Sequence, residues 1–92
     1  MNLKFKCHSQ MTDWKNIESL IKENINENLI IELDDNLDLH LKVSNFKKIL
    51  QRHNKSIVFV SKSLKLEELV IVPTKQEAID VIQIEEIERL LD

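Results

Sequence analysis

The stretch Glu68-Leu69-Val70-Ile71-Val72-Pro73-Thr74-Lys75-Gln76-Glu77-Ala78-Ile79-Asp80-Val81-Ile82, continued by Gln83 to Asp92, decides the fold. A continuous apolar run stops at a proline, and a threonine suited to helix capping then opens a long series of helix formers. Leu69 to Val72 therefore reads as a buried strand that feeds a terminal helix from Thr74. Working back along the chain, Ile57-Val58-Phe59-Val60 and Leu29-Ile30-Ile31-Glu32-Leu33 are further apolar runs rich in β-branched residues. The second ends in the turn-forming Asp34-Asp35-Asn36 and reads as a central strand. At the start, Leu3, Phe5 and Cys7 alternate with Lys4 and Lys6, as in an edge or outer strand with one wet face.

Between these runs the spacing becomes helical. Trp14, Ile17, Leu20, Ile21 and Ile25 share one face of a helix expected over about Thr12 to Asn26. The stretch from Leu37 to His53 is two-sided. Leu37, Leu39, Leu41 and Val43 alternate like a strand, whereas Leu39, Val43, Phe46, Ile49, Leu50 and His53 line a helical face. A helix entered between Asp38 and Ser44 is the better expectation, because parallel neighbours need a crossover there. Ser61 to Glu68 is a polar connection with room for a helical turn. The succession βαβαβ-β-α predicts one α/β domain over residues 1–92, with about four strands in a mostly parallel sheet and about three helices.

Composition narrows the function classes. The chain has 42% hydrophobic and 32% charged residues and a net charge of -3, the profile of a soluble globular chain whose mild acidity argues against nucleic acid. No apolar run approaches the roughly 18 residues that would cross a bilayer, and Met1 to Cys7 does not resemble a secretory signal. A cytoplasmic protein without membrane contact is expected. Glycine is absent, which excludes the dinucleotide fingerprint and the Walker loop, since both need it to bring backbone amides onto a phosphate.

Candidate chemistry is sparse. His8, His40 and His53 are scattered singly, and the neighbours Cys7 and His8 point to opposite faces of a strand, so neither a metal nor a cofactor is expected. Cys7 reads as packing material. Asp38, His40 and Ser44 lie close in sequence but lack the glycine-rich elbow of a serine nucleophile. Asp34-Asp35, at the carboxyl end of a strand, is the better placed acidic pair, although turn formation explains it. Glu85, Glu86 and Glu88 read as the wet face of a helix. Lys47, Lys48, Arg52 and Lys55 form a basic row on the outer side of the second helix, without aromatic residues for base stacking.

The terminal helix carries a contradiction. At about 100° per residue, Ala78, Ile79, Val81 and Ile82 fall on one side and Ile84, Ile87, Leu90 and Leu91 on the other. One straight helix cannot bury both stripes on one flat sheet. It bends or breaks near Gln83, or has its second half clasped between the body and another element, or projects that half toward a partner or a second copy of itself. Burial within the chain is the favoured expectation, since four aliphatic side chains are worth about 1.5 to 3 kcal/mol each when buried. Ile84, Ile87, Leu90 and Leu91 are the candidate partner-binding or homodimer residues if it projects.

From Leu29 to Asp92 the succession of strand, turn, helix, strand, connection, strand and helix resembles the STAS domain of bacterial anti-sigma-factor antagonists. The ending Val72-Pro73-Thr74-Lys75-Gln76-Glu77-Ala78 through Ile84-Glu85-Glu86-Ile87-Glu88-Arg89-Leu90 is similar to that of short STAS-like bacterial proteins, some labelled ribonuclease Z. That label implies a metallo-β-lactamase nuclease, whose histidine-rich zinc motif has no counterpart in this sequence. The STAS resemblance implies a non-enzymatic regulatory domain that docks onto a partner protein. In that family an Asp-Ser-Ser-Gly-like turn opens the second helix and its serine is phosphorylated. Lys42-Val43-Ser44-Asn45 keeps one serine, without the acid and the glycine, which makes Ser44 the candidate phosphoacceptor. A self-associating structural domain, or a weak nucleic-acid or small-ligand binder, are the alternative readings.

Overall fold

A computed structural model describes residues 3–37, 43–66 and 69–91, with the backbone alone for residues 10 and 43–45. Its elements follow in the order β1 (Lys6–Met11), α1 (Trp14–Glu23), β2 (Leu29–Leu33), α2 (Val43–Arg52), β3 (Ile57–Val60), β4 (Ile71–Val72) and α3 (Lys75–Leu91). All four strands are parallel and lie side by side in sequence order, giving an α/β fold of three helices on a four-stranded parallel sheet.

Period-two alternation divides the apolar strand residues between two faces. Leu29, Ile31, Leu33 and Phe59 join Trp14, Ile17 and Ile21 of α1 and Phe46 of α2 in one core. Ile30 and Val58 turn the other way, against Ala78 and Ile82 of α3. Two successive crossovers of the same hand put α1 and α2 on one face of the sheet. Among the described residues of the connection from β3 to β4, Leu64, Leu66 and Leu69 pack into that same core. The aromatic centre is a chain of rings: Trp14 meets Phe46 edge-on at 5.3 Å, and Phe46 meets Phe59 at 6.2 Å.

Several element boundaries differ from the sequence expectation. The first strand begins at Lys6 rather than Leu3, because pairing starts where Lys6 meets Leu29 and continues past a bulge to Met11 opposite Leu33. Leu3 and Phe5 precede the ladder and pack, with Cys7, against the α3-side core. Helix α1 is capped by Asp13, whose Oδ1 accepts the Lys15 amide at 2.9 Å, and it closes at Asn24, so Ile25 lies beyond it and is exposed. Strand β4 covers only Ile71–Val72 of the expected Leu69 to Val72; its end is where expected, at Pro73, which has no N–H with which to extend a ladder, and its pairing to β3 begins at Phe59 opposite Ile71. Thr74 caps α3 as its position implied, its Oγ1 accepting the Glu77 amide at 3.2 Å.

Candidate functional site

Helix α3 runs unbroken for 17 residues, about 25 Å at 1.5 Å per residue. The five residues of β2 span about 17 Å, so the helix outreaches the strands it covers. It does not break near Gln83, and among the described residues its second half is not clasped between the body and another element. Ile84, Ile87, Leu90 and Leu91 are 56%, 44%, 69% and 81% exposed, which corrects the expectation of burial within the chain.

The physical reason is a polar cluster. Counting along the buried stripe from Ala78 and Ile82, the next positions to face the body are Glu86 and Arg89. Arg89 donates to Glu86 at 2.7 Å and to the Ser56 hydroxyl at 3.1 Å. Asn28, buried just before β2, donates through Nδ2 to Glu86 at 2.9 Å and to the Lys4 carbonyl at 2.9 Å, while its Oδ1 accepts the Ser56 amide at 3.0 Å. Lys55 adds an ion pair to Glu86 at 3.5 Å. The lower half of α3 is thus held to the amino-terminal ends of β2 and β3 by its charged side, and its apolar side turns outward.

The hydrogen bond from Asn28, then that from Arg89, together with the attraction of the Arg89 and Lys55 charges, outweighs the burial that opposes ionisation. They hold the Glu86 carboxyl down from the ordinary 4.5 to about 2. A carboxylate locked in its charged form to that depth does not exchange protons near neutrality, so the cluster is a clamp rather than an acid–base pair. It also lies at the end of the sheet opposite to the carboxyl ends of the strands, where open α/β sheets place ligands.

Other sequence candidates fall apart in space. Lys47, Lys48 and Arg52 are exposed on α2, but Lys55 does not belong to their row: α2 ends at Arg52, and Lys55 pairs with Glu86 across the molecule's lower edge. Glu86 likewise leaves the wet face assigned to it. His53 donates through Nε2–H to the Glu27 carbonyl at 2.7 Å, which ties the end of α2 to the connection between α1 and β2. Asp34 forms a local turn, its Oδ1 accepting the Asn36 amide at 2.8 Å, and Asp35 accepts from the Ser63 hydroxyl at 3.1 Å. Asp38, His40 and the side chain of Ser44 lie outside the described residues; the Ser44 backbone falls in the first described turn of α2. Among the described residues no group of three His, Cys, Asp or Glu could hold a metal ion, and no helix is long and apolar enough to cross a membrane.

An apolar cleft of about 200 Å³ opens between the ends of α1 and α2 and is lined by Ile21, Ile25, Ile49, Lys22, Arg52 and His53. The clamp was missed in the sequence because periodicity counts apolar residues. A signal was present: Glu86 and Arg89 stand four and seven residues after Ile82, on the continuation of the buried stripe. No family model matches the chain, and no curated protein or solved structure matches it either.

Proposed function

We propose that this chain is a non-enzymatic, STAS-like interaction domain that docks onto a partner protein through the outward side of α3. One observation carries the reading: Ile84, Ile87, Leu90 and Leu91 stand exposed on a helix whose opposite side is clamped to the body. Soluble domains seldom leave an apolar patch of this kind uncovered without a use for it. The clamp fixes the orientation in advance, so docking does not have to order the helix. The STAS-like assignment rests on the succession of elements from β2 to α3, and the regulatory role rests on that assignment.

A photoreactive side chain placed at position 87 tests it in the native cell, with the exposed Gln51 on α2 as control. The reading expects a discrete protein adduct from position 87 and none from 51. Adducts from both positions alike, or from neither, would remove it.

A further inference from the structure

The same stripe also carries information about what covers it. Asp80, Ile84, Ile87 and Leu91 follow one another at i, i+4, i+7 and i+11 along the outward side of α3, and Glu77 and Glu88 stand one turn from that row. All six are exposed. Among the described residues no cation pairs with Glu77, Asp80 or Glu88; Asp80 accepts only from the neutral amide of Gln76 at 3.1 Å. The helix has two cations, Lys75 at its first residue and Arg89, which the clamp consumes. The exposed side of α3 is therefore an apolar row with an acidic border.

From this border we infer that the partner is a protein segment whose own apolar row is flanked by lysines or arginines, an amphipathic basic helix being the simplest form. The inference rests on the docking function proposed above and adds the chemistry of the occupant. Carboxylates at the rim of an apolar seam favour a basic partner and repel an acidic one, which sets both encounter rate and selectivity. A second copy fits poorly. Pairing α3 with α3 about a two-fold axis brings Glu88 of each copy to a shared seam that holds no cation. The chain's own basic row, Lys47, Lys48 and Arg52, offers no exposed apolar residues between its charges, because Phe46 is buried and Ile49 and Leu50 are half-buried. An anionic lipid surface meets the same repulsion.

Two labelled helical peptides provide the probe, one of leucine and lysine and one of leucine and glutamate, each with leucines at i, i+3, i+4 and i+7. Fluorescence anisotropy with the full chain at about 0.15 M salt reads their affinities. The lysine peptide should bind at least about tenfold more tightly than the glutamate peptide, and Ile87→Asp should abolish its binding. Asp80→Lys with Glu88→Lys should reverse the preference, while Glu23→Lys, on α1 across the sheet, should leave it in place. Equal or stronger binding of the glutamate peptide would overturn the inferred chemistry and leave the docking face standing. So would a dimer in light scattering that Ile87→Asp dissociates. Binding of neither peptide, or binding that survives Ile87→Asp, would overturn the docking face itself.

Discussion

Glu86 accepts from Asn28 at 2.9 Å and from Arg89 at 2.7 Å, and each of these contacts favours its ionised form. Because folding lowers its pKa, the unfolded chain binds more protons than the folded one between about 2 and 4.5. The clamp's contribution is therefore complete above pH 4.5 and is lost as pH falls toward 2. Thermal melts of the wild type and Glu86→Gln should differ most near neutrality and converge as pH drops through that window. A difference that stays constant with pH would mean that Glu86 is not held by charge. Arg89 has the complementary role: its Nη2 carries two hydrogens and lies 2.7 Å from Glu86 and 3.1 Å from the Ser56 hydroxyl, with the Asn28 Oδ1 farther off at 3.4 Å.

At the scale of the element, α3 joins two different modes of attachment end to end. Its first half is held by Ala78 and Ile82 in a dry core, its second half by Glu86 and Arg89 in a polar one. Ile82→Ala should cost about 2 to 5 kcal/mol in urea denaturation, as a buried truncation does. Ile87→Asp should move stability by no more than about 0.5 kcal/mol, as an exposed change does. Comparable losses from both would show that the outward row is buried in solution. Much of this helix was legible in the sequence: the Pro73-Thr74 opening, the cap and the length follow from local chemistry. The direction of its second half was not, because Asn28 and Ser56 lie 58 and 33 residues from their partners on α3. A wheel projection sees side chains of one segment and not the polar groups that wait at the ends of distant strands.

For the molecule as a whole, three apolar runs separated by helical spacing were enough to predict an α/β domain with a largely parallel sheet. Coverage of both faces is what the structure adds: β2, apolar at consecutive positions, buries Leu29, Ile31 and Leu33 on one side and Ile30 on the other. The start of β1 was less legible because alternation at Leu3 to Cys7 describes which side chains are covered, whereas the ladder is set by where β2 begins. The completed molecule presents two unlike surfaces. One carries the exposed cations of α2, the other the acid-bordered apolar row of α3. The second is the surface on which the functional reading depends, and it requires a ligand to land there and nowhere else. Amide chemical-shift mapping of the full chain during titration with the leucine-lysine peptide measures that directly. The predicted result is saturable perturbation concentrated on α3 from Asp80 to Leu91, with the α1–α2 face unmoved. Perturbation centred on the cleft between α1 and α2, or none on α3, would contradict it.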